Sequence, residues 1–260
     1  MAEFSEQLNR EIDDAAELIL SAKYLVGLTG AGVSVESGIP PFRGPGGLWT
    51  KHGEPPMDGY RRFLADPKGH WENRIKRQRQ GFYQSMEAAK PNPGHHALAE
   101  LEKLGILKCL ITQNVDNLHR AAGSVNLAEI HGNFMLDRCI SCGSRFRRGE
   151  ISLEVLPPRC PKCGGLVKGD GVAFGEPIPL DVLALCQSET DKSDCMLVAG
   201  TSAMVYPAAA FPQEVWRRGG SLIEVNLYES ELTRICWISL RGQTGTILPE
   251  LLSGIKVKVK

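Results

Sequence analysis

Apolar runs of strand length alternate along the chain with segments whose apolar residues recur at helical spacing. The strand-like runs lie at residues 23–32, 106–114, 193–202 and 221–226, and the helical segments lie at residues 8–22, 95–105, 114–123 and 208–220. Uninterrupted apolar runs are typical of strands that are buried on both faces, as in a parallel sheet. This alternation therefore predicts an α/β fold built on a doubly wound parallel sheet.

Two stretches of the chain, residues 40–95 and 134–168, break the alternation. The first is rich in proline, glycine and charge and carries a polar helical pattern at residues 70–86, and the second holds four cysteines among short polar segments. We interpret both stretches as insertions that form a smaller lobe beside the sheet. The predicted large domain comprises residues 1–44, 99–133 and 169–260, and the predicted small domain comprises residues 45–98 and 134–168.

The overall charge gives the chain no general attraction to polyanions. Lysine plus arginine and aspartate plus glutamate number 30 each, so the formal net charge is zero. No segment approaches 18 consecutive apolar residues, and the polar N-terminal segment does not resemble a secretory signal. We therefore expect a cytoplasmic protein (nuclear, if the source is eukaryotic) with no membrane partner and no direct nucleic-acid partner.

Four of the eight cysteines form two close pairs with the spacing C-x2-C-x17-C-x2-C. The pairs are Cys139 with Cys142 and Cys160 with Cys163. Each C-x2-C turn can place two thiolates on one tetrahedral ion, and a connecting hairpin brings the turns together. The spacing predicts one structural Zn²⁺ per chain, with free or disulfide-bonded cysteines and a catalytic metal as the alternatives.

Small or polar residues follow four of the predicted strands. Gly30, Gly32 and Ser34 follow the first; residues 113–116 follow the second; Gly200, Thr201 and Ser202 follow the third; and residues 224–226 close the fourth. The glycine segment alone also fits a plain strand-to-helix turn, because Val35 replaces the third glycine of G-x-G-x-x-G. Ligands of open parallel sheets bind beyond the carboxyl ends of the strands, so the four ends together indicate a dinucleotide site.

Three polar residues are candidates for chemistry at this site. His131 follows a short apolar run and could act as a general base at a sugar hydroxyl, or could be a hydrogen-bonded core histidine. Asn114 and Asp116 could hold the two faces of a carboxamide such as that of nicotinamide, or could cap a helix.

The motifs, taken in order, resemble those of the sirtuin family. They are GAGVSVESGIPPFRG (30–44), TQNVDNLH (112–119), HG (131–132), the four cysteines, GVAFGE (171–176), GTS (200–202) and EVN (224–226). The resemblance extends from about residue 10 to about residue 250. It implies a Rossmann-like large domain, a small lobe made of a zinc ribbon and a helical module, and acyl-lysine bound between them beside NAD.

The resemblance also implies an activity and roles for individual residues. Sirtuins use NAD as a co-substrate to remove acyl groups from protein lysines, giving nicotinamide, O-acyl-ADP-ribose and free lysine, and His131 matches their catalytic histidine. Ile39, Asn114 and Asp116 match the residues that line the nicotinamide pocket, and Gln113 matches the one that contacts the nicotinamide ribose. Ala31, Arg43 and Ser202 match residues along the phosphates and the nearby ribose, and Asn226 matches a residue on the adenosine ribose. Phe42 matches the residue that covers the reacting sugar. Val172, Phe174, Gly175 and Glu176 match residues that bind the substrate peptide as an added strand.

The sequence departs from the family pattern at Pro41 and at Ala173, neither of which is a catalytic group. Family members specialised for succinyl or malonyl lysine carry Tyr-x-x-Arg where this chain has Arg74 and Arg77. Arg77 could therefore pair with an acidic acyl group, or could belong to a solvated helix face. We expect a monomeric deacetylase acting on acyl-lysine proteins. The alternatives are succinyl or malonyl removal, mono-ADP-ribosyl transfer, and a non-enzymatic NAD sensor or zinc-ribbon DNA-binding module.

Overall fold

The computed structural model describes residues 4–77 and 81–259 of the chain. None of the helices within these ranges combines the length and the apolarity that crossing a lipid bilayer requires.

Nine strands within the described residues form two sheets. The strands are β1 (Leu25–Thr29), β2 (Leu107–Thr112), β3 (Leu127–Glu129), β4 (Leu136–Cys139), β5 (Arg145–Arg147), β6 (Val167–Gly169), β7 (Cys195–Ala199), β8 (Ser221–Asn226) and β9 (Ile238–Arg241). Six of them form a parallel sheet in the order β3-β2-β1-β7-β8-β9. The chain builds outward from β1 in one direction and from β7 in the other, so the connections reverse between these two central strands. Such a switch point opens a crevice at the carboxyl ends of the strands.

Some of the helices cover both faces of this sheet. The helices are α1 (Glu6–Ser21), α2 (Leu48–His52), α3 (Gly59–Ala65), α4 (Pro67–Arg77), α5 (Gly81–Ala88), α6 (Pro93–Lys103), α7 (Leu118–Ala122), α8 (Leu180–Lys192), α9 (Ala210–Arg217) and α10 (Thr244–Val259). Leu25 of β1 packs into the core beneath α1, α6 and α10, whereas Val26 and Leu28 pack into the core beneath α8 and α9. Because both faces are covered, every residue of β1 is buried, which explains its continuous apolar run.

The two inserted stretches contain the remaining elements. Residues 45–98 carry α2 to α5 and most of α6, and β4, β5 and β6 form an antiparallel sheet in the order β5-β4-β6. The helical pattern at residues 70–86 falls on α4 and α5, and residues 78–80 lie outside the described residues. Trp71 of α4 is buried against Cys139 and Cys160, and its indole Nε1 donates to the Val167 carbonyl at 2.8 Å. This side chain joins the helical insertion to the cysteine-bearing one.

Candidate active site

The glycines after β1 lie directly against the backbone after β7. The Gly32 amide donates to the Gly200 carbonyl at 2.7 Å, and the Gly30 amide donates to the Ala199 carbonyl at 3.1 Å. A β-carbon at position 32 would lie 2.7 Å from the Gly200 α-carbon, and Gly200 itself has a φ of +61°. Only glycine allows this approach, which leaves an open backbone surface at the switch point.

Thr201 links the other strand ends to this surface. The Gln113 amide Nε2 donates to the Thr201 hydroxyl at 2.9 Å, and the Asn226 amide Nδ2 donates to the Thr201 carbonyl at 2.8 Å. The structure thus brings together the ends of β1, β2, β7 and β8, as the sequence predicted. Ala31 opens a 3-10 helix spanning Ala31–Ser37, and the Ser202 carbonyl accepts from the Glu231 amide at 3.4 Å.

Ser34, Asn114 and Asp116 form one buried polar cluster. The Ser34 hydroxyl donates to Asp116 Oδ2 at 2.6 Å, and the Asn114 side-chain amide donates to the Gly30 carbonyl at 3.0 Å. Burial raises the pKa of Asp116, and its hydrogen bonds from Ser34 and from the Leu118 amide oppose that rise. Asp116 therefore also holds the first residue of α7, Leu118, as the helix-capping alternative for Asp116 predicted.

Two buried histidines that sequence reasoning missed lie behind this cluster. The rings of His95 and His119 are 4.8 Å apart, and His95 Nε2 lies 3.4 Å from the Ser34 hydroxyl oxygen. Burial lowers the pKa of His95 to about 4 and lowers that of His119 well below its ordinary value, so both are neutral at pH 7. His119 Nε2 lies 2.9 Å from the Thr29 hydroxyl, and its Nδ1 has no partner in the described chain. The sequence feature that could have drawn attention to this pair is His119, which closes the TQNVDNLH segment next to Asn114 and Asp116.

His131 is placed at the end of β3 with one ring nitrogen engaged by the backbone. Its Nδ1 lies 3.0 Å from the Gln113 carbonyl oxygen. A carbonyl can only accept, so Nδ1 carries the proton and Nε2 keeps its lone pair. Burial lowers the pKa of His131, and the Gln113 carbonyl opposes that effect. The ring is therefore a neutral base with Nε2 available.

Aromatic contacts hold the segment that follows Pro41. The rings of Phe42 and Trp49 are 5.0 Å apart, those of Trp49 and Phe174 are 5.8 Å apart, and the Arg43 guanidinium lies 4.4 Å above Trp49. Arg43 also pairs with Glu54 at 2.8 Å. Ile39 is buried in an apolar cluster with Met86, Leu118 and Phe134. Phe42 and Arg43 thus lie on one segment, and Ile39 forms part of an apolar wall.

The segment 171–176 runs from the end of β6 past His131. The Val172 amide donates to the His131 carbonyl at 2.8 Å, and the Phe174 carbonyl accepts from the Tyr60 amide at 3.0 Å. Gly175 has a φ of +79° and is exposed. The side chain of Glu176 is only 3% exposed, because its carboxylate is ion-paired inside the protein.

Arg77 is exposed on α4, where it lines a cleft of about 480 Å³ together with Phe63, His70, Arg74 and Tyr83. Arg74 itself is buried, lies 2.8 Å from Asp137 and stacks 4.7 Å from the Trp71 ring centre. Burial raises the pKa of Asp137, and Arg74 opposes that rise.

The four paired cysteines lie together at the end of the antiparallel sheet. Their sulfurs are all within 4.8 Å of one another, with 3.5 Å between Cys139 and Cys163 and 3.8 Å between Cys142 and Cys160. Tetrahedral zinc with Zn–S bonds of 2.3 Å requires sulfur–sulfur distances of about 3.8 Å. The geometry fits zinc, and four protein thiolates make the site a structural one.

Comparison with known proteins agrees with this geometry. A curated NAD-dependent protein deacylase from Thermococcus kodakarensis is 45% identical over 248 residues, which cover 93% of this chain and 95% of that protein. NAD-dependent protein deacylase 1 from Archaeoglobus fulgidus is 46% identical over 239 residues, with 92% and 95% covered.

Solved structures give the same picture. An ADP-ribose complex of a mutant Sir2 homologue superposes with a TM-score of 0.80 at 42% identity, covering 98% of both chains. A Sir2–p53 peptide–NAD⁺ complex superposes with a TM-score of 0.77 at 31% identity, covering 95% of this chain and 98% of that one.

A doubly wound parallel sheet with a half-buried histidine at its crevice and a four-cysteine ribbon beside it defines a zinc-ribbon α/β enzyme. The model described as the Sir2 family matches residues 30–207, which is more than half of the chain. The chain therefore belongs to the Sir2 family.

Proposed function

We propose that this protein is an NAD-dependent protein-lysine deacylase whose preferred reaction is deacetylation. The observation that carries the proposal is His131, whose Nδ1 is occupied by the Gln113 carbonyl and whose Nε2 is available at the crevice where four strand ends meet. The curated relatives bear the names of NAD-dependent protein deacylases, which supports the same activity. NAD⁺, as co-substrate, supplies an electrophilic ribose carbon once nicotinamide has left.

His131 acts as the general base in this proposal. Its neutral imidazole takes a proton at Nε2 from a ribose hydroxyl, and the resulting imidazolium is stabilised by the Gln113 carbonyl at Nδ1. Because the surroundings lower the pKa of His131, its neutral form, which can accept a proton, is favoured at neutral pH.

Asn114 and Asp116 recognise the nicotinamide carboxamide. The Asp116 carboxylate accepts and the Asn114 side-chain amide can both donate and accept, which matches the two faces of a carboxamide. Ser34 holds Asp116 from behind, and Ile39 supplies apolar surface beside the ring.

The remaining contacts follow the strand ends and the 41–49 segment. Ala31, Thr201 and Ser202 provide backbone and hydroxyl groups for the phosphates. The amides of Gly30, Gly32 and Gly200 are engaged by other carbonyls, so these glycines serve by letting the phosphates approach a backbone without side chains. Gln113 and Asn226 contact the two riboses, Arg43 pairs with a phosphate and Phe42 covers the reacting sugar. In this arrangement Arg43 exchanges Glu54 for a phosphate when the co-substrate binds.

The acyl-lysine peptide lies between the two domains along residues 172–176. We assign residues 1–44, 99–133 and 169–260 to the large domain and residues 45–98 and 134–168 to the small domain. The Tyr60–Phe174 hydrogen bond joins the two domains beside this segment.

The first experiment is a panel of acyl-peptides incubated with and without NAD⁺, with nicotinamide release and product masses recorded. O-acyl-ADP-ribose and free lysine are the expected products. An ADP-ribosylated protein, or no reaction with any peptide, would contradict the proposal.

Removal of succinyl or malonyl groups is a second candidate, favoured by Arg77 at a cleft. Arg74 occupies the position of the tyrosine in the Tyr-x-x-Arg pattern. Because Arg74 is ion-paired with Asp137, it does not replace the tyrosine hydroxyl as a hydrogen-bond donor to the acyl group. Comparing kcat/KM for acetyl and succinyl forms of one peptide, in the wild type and in Arg77→Met, decides between the activities.

A further inference from the structure

Four charged side chains form a buried network beneath residues 171–176. They are Arg138 of β4, Lys168 of β6, Asp170 and Glu176, whose side chains are between 2% and 9% exposed. Within these four side chains, two positive charges balance two negative ones, and Arg145, which is 30% exposed, also pairs with Asp170 at 3.1 Å. Buried ions are tolerated only when they are paired and hydrogen-bonded, as these are.

Glu176 bridges this network to the peptide segment. Its Oε1 accepts from Arg138 Nη2 at 2.6 Å, and its Oε2 lies 3.0 Å from Lys168 Nζ. The same Oε2 also accepts from the Ala173 amide at 2.8 Å. The carboxylate therefore points inward and bends the segment over itself.

Lys168 holds the beginning of the same segment. Its Nζ donates to the carbonyls of Gly169 and Gly171, both at 2.7 Å, in addition to its contact with Glu176. The ammonium group of Lys168 therefore makes all three of these contacts within the protein. Asp170, between these glycines, accepts from the Asn133 amide at 2.9 Å and pairs with Arg138 at 3.0 Å.

The backbone groups that this network does not use are the ones that a peptide needs. Within the described residues, the Val172 carbonyl and the Phe174 and Gly175 amides have no protein partner. The Ala173 amide, the Gly171 carbonyl and the Phe174 carbonyl are already engaged. An added strand is held mainly by main-chain hydrogen bonds, so the selection of free groups determines how it can bind.

We propose that Glu176, Lys168 and Arg138 are positioning residues that set the backbone of residues 171–176 for the acyl-peptide, and that the Glu176 side chain does not contact the substrate. This inference rests on the proposed binding of the peptide along that segment. It changes the sequence-based role of Glu176 from a peptide contact to a support beneath the peptide.

The test compares Glu176→Gln, which keeps the shape but not the charge, with Lys168→Met, which keeps the aliphatic stem. Glu100→Gln is the matched control, since it removes a carboxylate that pairs with Lys256 on the surface at 2.9 Å. The measurements are KM and kcat for one acetyl-peptide at saturating NAD⁺, the Kd of ADP-ribose by calorimetry, and Tm.

Both network variants are expected to raise the peptide KM at least tenfold while the Kd of ADP-ribose changes less than twofold. The double variant is expected to raise KM by less than the product of the two single effects, because the residues act as one unit. An unchanged peptide KM, or a parallel loss of ADP-ribose affinity, would overturn the inference. Lys168→Met leaves Glu176 paired with Arg138, so it serves if Glu176→Gln does not fold.

The wild-type protein separates this inference from the proposed function. If wild type shows no NAD-dependent turnover of any acyl-peptide, the function itself is wrong. Suppose instead that the wild type turns over the peptide, and that Glu176→Gln and Lys168→Met show the same peptide KM as Glu100→Gln. The proposed function then stands and the positioning role is wrong.

Discussion

The α-carbon of Gly200 lies 2.7 Å from the point where a β-carbon on Gly32 would stand. Gly32→Ala must therefore push apart the ends of β1 and β7, at a cost of about 1–3 kcal/mol for overpacking. We expect loss of ADP-ribose binding, measured by calorimetry, together with a lower Tm.

Gly254→Ala is the matched control for this change. Gly254 lies inside α10, where an added β-carbon would meet the Ala16 β-carbon at 3.7 Å and Asp13 Oδ1 at 3.8 Å, both ordinary contacts. We expect this variant to gain about 0.5–1 kcal/mol in the free energy of unfolding, because alanine favours a helix interior. Equal behaviour of the two variants would refute the close approach at Gly32.

His131→Ala is expected to keep the fold and to bind ADP-ribose but to lose deacylation by at least about 100-fold, the usual contribution of a general base. In the wild type the active form is the neutral ring, and burial lowers the pKa of His131 from the ordinary histidine value. Deacylation should therefore fall only as the pH drops below about 6.5. A pH–rate profile whose acid limb lies at or above pH 7 would contradict this assignment.

Ser34→Ala removes the hydroxyl that donates to Asp116 at 2.6 Å. This hydrogen bond opposes the rise in the pKa of Asp116, so its loss should raise that pKa further. Hydrogen bonds to charged groups contribute about 1.5–3 kcal/mol, which predicts roughly a 10- to 100-fold slower release of nicotinamide.

The pH dependence of nicotinamide release checks the role of Ser34, since its acid limb should move to higher pH in Ser34→Ala. Ser37→Ala is the control, because Ser37 lies on the same 3-10 helix and accepts from Asn92 rather than donating to Asp116. Identical profiles for the two variants would show that Ser34 does not support the carboxylate.

Removal of the metal should unfold the antiparallel sheet, because zinc replaces an apolar core in so small a unit. We expect Cys142→Ser to release zinc, measured by atomic absorption, and to lower Tm by more than about 5 °C. Cys236→Ser should retain zinc, since burial raises the pKa of Cys236 to about 12 and it lies outside the cluster. Full zinc content in Cys142→Ser would contradict the four-thiolate site.

The central sheet could be predicted because its strands are buried on both faces and therefore leave continuous apolar runs. The short edge strand β3 and the strand β9 were missed, since neither forms a long apolar run. The helix α10 was missed as well, although it packs on the core, because Pro249 interrupts its pattern.

The cysteine cluster and the meeting of the strand ends were predictable because local spacing and sheet topology determine them. The pair His95 and His119 was not, because their approach depends on how α6 and α7 pack. The direction of Glu176 was also beyond the sequence, since the partners that draw it inward, Arg138 and Lys168, lie on two separate strands of the small sheet.

Both insertions begin after the carboxyl end of a strand of the parallel sheet, and therefore at the same edge of that sheet. Residues 45–98 follow β1 and precede the end of α6, and residues 134–168 follow β3 and precede α8. The first insertion contacts residues 171–176, where the Trp49 and Phe174 rings are 5.8 Å apart. Under the proposed function, substitutions in the insertions can therefore change which modified lysine is accepted, while the strand ends proposed to hold the nucleotide stay the same.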